Sequence, residues 1–163
     1  YRNRGLIQSF PRIVTADLSD SHQVHALEEI LDSYARGSGG QNAPLSAEAR
    51  SNLSAGLLNQ ANAFVLLAYN DDLAVGAAVC FWGFSTFAGK PNVNIHDFAV
   101  LPGFQGQGIG HALLTELERL ACARGCCKIT LEVYGTNERA KKLYRSTGFG
   151  PWESPTLFVS KPL

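Results

Sequence analysis

The stretch Val100-Leu-Pro-Gly-Phe-Gln-Gly-Gln-Gly-Ile-Gly110 stands between a run that reads as a strand and one that reads as a helix. At such a junction the first N–H groups of the helix have no intrahelical acceptor, and the positive end of the helix dipole adds to them. A diphosphate fits there. Gly106, Gly108 and Gly110 remove side chains that would hold an anion away from those donors, and they allow the loop to fold round it. Two other phosphate loops fit less well. In the dinucleotide fingerprint G-x-G-x-x-G, His111 occupies the place of the last glycine, and no Gly-Lys-Ser/Thr follows for a Walker loop. The plainer alternative is a loop whose glycines only permit a sharp turn from strand to helix.

On the upstream side, Ala63 to Tyr69, Leu73 to Trp82 and Val93 to Val100 read as three strands of an antiparallel meander, with Asn70-Asp71-Asp72 as a tight turn. Gly83 to Pro91 is expected to join the second and third, with Phe84 and Phe87 either packed or lining an entrance. Further upstream, Arg12 to Thr15 suits a short strand. A helix capped by Asp20 or Ser21 follows, carrying Val24, Leu27, Ile30 and Leu31 at helical spacing. Gly37 to Pro44 reads as a loop, and a helix from about Ser46 to Asn59 has Leu53, Leu57 and Leu58 as its stripe. Downstream, a helix from about Gly108 to Arg124 presents Ile109, Leu113, Leu117 and Leu120 and stops at Gly125. Ile129, Leu131 and Val133 then alternate with polar residues, so strand, helix and strand form a parallel crossover. A short helix from Asn137 to Ser146 and a last strand near Thr156 to Ser160 complete the pattern.

With 163 residues, 45% of them apolar, the chain suits one domain over 1–163. Lys plus Arg and Asp plus Glu are 14 each, which leaves no field of one sign to hold a nucleic acid or an acidic membrane. The longest apolar run, Ala74 to Trp82, is too short to span a bilayer. Tyr1 to Phe10 has no apolar segment of the kind that directs secretion, so a cytoplasmic location is expected. Cys80, Cys122, Cys126 and Cys127 lack a paired Cys-x-x-Cys element; no metal is expected, and the thiols read as small, reduced, buried hydrophobes. A last strand near the C-terminus is able to pair with a second subunit, making a homodimer the expected assembly if one forms.

Two stretches carry a resemblance. Gln105-Gly-Gln-Gly-Ile-Gly110 resembles the Q/R-x-x-G-x-G/A signature of the GNAT superfamily of N-acetyltransferases. Asn137-Glu-Arg-Ala140-Lys-Lys-Leu143-Tyr144, followed by Gly148-Phe149, resembles its second motif, N-x-x-A-x-x-L-Y and then G-F. The resemblance implies an α+β fold of the acyl-CoA N-acyltransferase type, with a mixed central sheet of about six or seven strands and about four flanking helices. It implies acetyl-CoA as co-substrate. Phe98 and Val100 would offer main-chain groups to the pantetheine arm, and N–H groups of Gln105, Gly106, Gln107, Gly108, Ile109 and Gly110 would hold the pyrophosphate. Asn137 would bond the pantetheine end, with Ala140 beside it. Some of Arg139, Lys141, Lys142 and Arg145 could meet the nucleotide phosphates.

Transfer of an acetyl group to an amine needs a base, an oxyanion donor and an acid. The resemblance makes Tyr144 the acid, and a phenol is able to protonate a departing thiolate. Main-chain N–H near Phe98 or Ala99 would meet the oxyanion. His96 and Asp97 are the candidate bases, with Glu132 third. Strand side chains alternate, so only one of His96 and Asp97 faces an acceptor unless a bulge turns the strand. Asp32, Glu48 or the His96-Asp97 pair would attract a cationic acceptor, which favours a small-molecule amine. The alternatives are an acetyltransferase acting on protein amines and a non-catalytic module that binds or senses CoA.

Overall fold

The computed structural model describes residues 10–153 and 158–162. Strand β1 (Arg12–Thr15) leads to helix α1 (Ser21–Arg36), which Asp20 caps by accepting the His22 N–H at 2.9 Å. Ser46 caps α2 (Ala47–Leu58) in the same way, accepting from Ala49 N–H at 3.0 Å. Although Leu53 and Leu57 lean inward, no residue of α2 is buried. Next come β2 (Ala63–Asn70), β3 (Leu73–Ser85) and β4 (Lys90–Val100), followed by α3 (Ile109–Ala123), β5 (Ile129–Leu131) and α4 (Glu138–Ser146).

The sheet order is β1-β2-β3-β4-β5, antiparallel throughout except for the parallel β4–β5 pair that the α3 crossover produces. Among the described residues there are five strands, against the expected six or seven. The strand expected near Thr156 to Ser160 lies partly outside the described residues, and Phe158 to Ser160 are not in a strand. The expected connection from Gly83 to Pro91 is a correction of another kind. Its two sides continue the ladder through Gly83↔Asn92, Phe84↔Pro91 and Ser85↔Lys90, leaving only residues 86–89 as the turn. Main-chain pairing needs no burial, so this hairpin extends past the core and leaves Phe84 and Phe87 exposed at its tip.

Two apolar layers flank the sheet. On one face α3 buries Leu113 and Leu117 against Leu66, Val75 and Ala78; on the other α1 buries Leu27 and Ile30 against Val65, Leu67 and Ala77. Each fully buried Leu, Ile or Val among these stabilises the fold by about 1.5–3 kcal/mol relative to exposure. Of the cysteines only Cys80 is buried, and burial pushes its thiol up to about 12. Cys122 and Cys127 are exposed, contrary to expectation, because they sit at the solvent-facing end of α3 and in the turn after it. None of the helices among the described residues is long and apolar enough to cross a membrane.

Candidate active site

The β4–β5 ladder has only three pairs, ending at Ile95↔Leu131. Beyond Ile95 the two strands part. On its other side β4 stays paired with β3, and Leu101 N–H donates to Val75 O at 2.8 Å. Bonded residues alternate along an antiparallel strand, so Ala99 and Leu101 turn their main-chain groups to β3 while Phe98 and Val100 turn theirs into the gap. Of the two donors expected for an oxyanion, therefore, Phe98 presents its N–H to the opening and Ala99 does not. The Gln105 side-chain amide donates to Val100 O at 2.8 Å, and Arg139 donates to Gln105 Oε1 at 2.5 Å.

A β-bulge settles where the two candidate bases point. The β3–β4 register runs Val79↔Asp97 and then Cys80↔Ile95, which leaves His96 as the extra residue. Ile95 joins the core layer under α3. His96 meets Phe81 edge-on at 5.6 Å, and Phe81 packs with the layer under α1, as does Val79 opposite Asp97. His96 and Asp97 thus stand on the same face, which simple alternation forbids. Burial raises the Asp97 carboxyl above its ordinary range, and the neighbouring His96 charge opposes part of that rise.

Where the chain enters α3, Gly106 and Gly108 hold φ of 78° and 84°. Gly108 is the N-cap residue of the helix. A side chain there would strain the backbone by about 1–2 kcal/mol at the entry to the helix. Gly108→Val is expected to weaken binding of acetyl-CoA, measured by calorimetry, while far-ultraviolet circular dichroism stays native. Gly110 has a different reason to be glycine: a Cβ would lie 2.8 Å from Leu143 Cδ2, so its absence lets α3 and α4 approach closely.

Two cavities meet beside these elements. The larger, about 790 Å³, follows the β4 edge and the loop; Phe98, Ala99, Val100, Gln105, Gly106, Gly108, Gly110, Asn137, Ala140 and Tyr144 line it. Gln107 and Ile109 do not: the Gln107 amide bonds Gly103 O at 3.0 Å and Ile109 is buried in the core. The smaller, about 560 Å³, holds His96, Asp97 and Glu132, with Leu31 of α1, Leu45, and Ala49 and Leu53 of α2 among its walls. Glu132 lies one residue beyond β5. Asp32 and Glu48 line neither cavity, and Asp32 is engaged by Arg36 and Arg50.

Six residues belong to both cavities: Tyr34, Gly39, Phe98, Asn137, Ala140 and Tyr144. Tyr144 is buried, with Phe98 edge-on at 6.0 Å and Phe149 at 5.5 Å. Burial, then the facing Tyr34 phenol, raises its pKa. Asn137 spends Oδ1 on the Ala140 N–H at 3.1 Å, capping α4, and its Nδ2 lies toward Gly39. Tyr34 escaped the sequence reading. It follows Leu27, Ile30 and Leu31 at helical spacing, so the pattern marks it as one more core residue. Its phenol is raised by burial and then by the Asp97 charge. Of the four cations on α4, Arg139 and Lys142 line the larger cavity, whereas Lys141 pairs with Glu138 at 2.6 Å and Arg145 lies over the Trp152 ring. Among the described residues no group of three His, Cys, Asp or Glu side chains is placed to hold a metal ion.

Residues 24–149 match the sequence profile of the acetyltransferase (GNAT) family. The chain belongs to that family. GNAT relatives include thialysine N-epsilon-acetyltransferase of Bos taurus, 34% identical over 74 residues, which are 45% of this chain and 43% of that protein. The N-alpha-acetyltransferase RimI of Mycobacterium tuberculosis is 42% identical over 76 residues, 45% of this chain and 46% of that one. The matched stretch therefore spans under half the length of these two GNAT proteins. An aminoglycoside acetyltransferase from an uncultured soil metagenomic sample, solved in complex with sisomicin, superposes with a TM-score of 0.78 at 23% identity, covering 94% of this chain and 97% of that one. At that identity the likeness shows the GNAT fold.

Proposed function

We propose that the chain is an N-acetyltransferase that moves the acetyl group of acetyl-CoA directly to a primary amine of a small molecule. The observation that carries this reading is the junction of two cavities at Phe98, Asn137 and Tyr144, one running along an unpaired strand edge to a helix N-terminus and the other containing His96 and Asp97. The larger cavity suits coenzyme A in its chemistry. Phe98 and Val100 offer main-chain groups to the amides of a pantetheine arm, as an added strand would use them. The cradle of positive-φ glycines opens on the first N–H groups of α3, and Arg139 and Lys142 stand near with positive charge. To accept the arm, Val100 O must exchange its bond from the Gln105 amide.

In the reaction Asp97 or His96 takes a proton from the acceptor ammonium. The amine nitrogen bonds to the carbonyl carbon of the thioester, Phe98 N–H donates to the oxygen as it gains charge, and as the carbon–sulfur bond breaks the nitrogen loses its second proton to solvent. Tyr144 gives its proton to the departing sulfur and recovers one from solvent. No cysteine lines either cavity, which fits direct transfer without an acyl-enzyme.

The smaller cavity lies in the size range of small-molecule sites. Tyr134 and Phe158, both exposed on its lining, favour the second reading, in which a polypeptide amine enters. Calorimetry with acetyl-CoA and thiol release with a panel of small amines and peptides test both. Uptake with transfer to small amines is expected. Transfer to peptides alone would favour the second reading, and uptake without transfer would leave a module that only binds the cofactor.

A further inference from the structure

The roof of the smaller cavity is held in two separate ways. From Gly37 to Ala43 the loop hangs on carbonyls at the end of α1. Gly37 N–H donates to Tyr34 O at 3.0 Å, and Gln41 and Ala43 N–H donate to Ala35 O at 2.9 and 3.3 Å. A Cβ on Gly40 would run into the Tyr34 carbonyl, so this part lies tight against the helix. From Leu45 onward the attachment passes to one carboxylate. Asp32 Oδ1 accepts the Leu45 N–H at 2.8 Å, and Oδ2 accepts Arg36 Nε at 2.7 Å and Arg50 Nη2 at 3.1 Å. Arg50 belongs to α2 and also reaches Glu29 of α1 at 3.1 Å.

Asp32 is 6% exposed, while α2 buries no residue of its own. A helix without a buried stripe is placed by whatever else grips it. Yet Ala49 and Leu53 of α2, with Leu45, wall the smaller cavity. Gly37, Ser38 and Gly39, which line the larger cavity, belong to the part held by main-chain bonds.

We propose that Asp32 is a positioning residue for the acceptor: it latches Leu45 and α2 onto α1 and so sets the shape of the acceptor cavity without touching the cofactor cleft. This rests on the N-acetyltransferase reading for its kinetic arm only. Asp32→Asn keeps the shape of the side chain and removes the charge that draws in both guanidinium groups. The acceptor KM is then expected to rise about tenfold, in line with small misplacements of a cavity wall. The kcat value and the dissociation constant of acetyl-CoA stay near those of the unaltered protein. Arg50→Gln, a milder change at the outer partner, raises the same KM less, and Arg50→Lys restores part of it.

Hydrogen exchange provides an arm independent of activity. In Asp32→Asn the amides of Leu45 and of 47–58 are expected to exchange faster, while those of Gln41 and Ala43 keep their rates. Equal acceleration on both sides of the loop, or an unchanged acceptor KM, would overturn the proposal. So would a loss of acetyl-CoA affinity parallel to the loss of acceptor affinity. If the unaltered protein binds acetyl-CoA and acetylates no amine, the N-acetyltransferase reading falls instead, and the exchange pattern alone decides the latch.

Discussion

Replacing Tyr144 with Phe is expected to lower kcat by about 10²-fold, the usual contribution of a positioned acid, with little change in the dissociation constant of acetyl-CoA. The ring is what the fold uses. Its contacts with Phe98 at 6.0 Å and Phe149 at 5.5 Å need no hydroxyl, so the variant keeps its packing. The hydroxyl is what the proposed reaction uses. Burial raises the phenol above its ordinary value, so it remains protonated through the neutral range and holds a proton ready for the leaving sulfur. For the same reason the unaltered protein shows no alkaline fall in kcat from this group below about pH 10. Steady-state rates combined with calorimetry separate the two parts, and an undiminished kcat would remove Tyr144 from the acid role.

Asp97→Asn carries a pair of effects in opposite directions. Where Asp97 rather than His96 is the base, its loss is expected to cut kcat/KM by about 10²-fold or more. With Asp97 in that role, the acid limb of kcat/KM in the unaltered protein is expected above the ordinary carboxylate range, because burial raises the carboxyl and a base works only when ionised. Stability moves the other way. In the unfolded chain Asp97 ionises at its ordinary value and in the folded chain only at a higher one. Its contribution is therefore fully present below the unfolded pKa and is lost as pH rises through the folded pKa. At neutral pH the buried charge weakens the fold, and Asn removes it. Thermal melts should show the variant more stable at pH 7, with the difference vanishing near pH 4. A variant equally stable at both values, with an unshifted acid limb, would place the carboxylate in water rather than in the cavity.

The sequence makes legible what local chemistry decides. Asp20 and Ser46 announce their helices through cap bonds within three residues of themselves, and the glycines from 106 to 110 mark the strand-to-helix junction. The family follows from motifs whose members are near in sequence. The bulge at His96 is different, since it arises where β4 must satisfy two neighbours, β3 along its whole length and β5 only up to Ile95. No residue type in Ile95-His-Asp-Phe98 signals that. Tyr34 was hidden for the opposite reason: its spacing is that of a core residue, and the cavity it enters exists only after α1 has docked. Asp32 looked like a charge for an acceptor because, although Arg36 lies one turn along the same helix, its second partner Arg50 becomes a neighbour only when α2 folds back.

The parting of β4 from β5 leaves an open strand edge inside the molecule, its Val100 O held by the Gln105 side chain, where most proteins keep such edges outside or cover them. On a surface it would recruit another polypeptide and invite aggregation. Here Leu143 and Tyr144 of α4 share the walls of the opening, so what enters must be thin enough to slip between a strand and a helix while still offering amides of its own. A linear chain with peptide-like links and no branches beside them answers that requirement better than a β-strand carrying side chains on both faces.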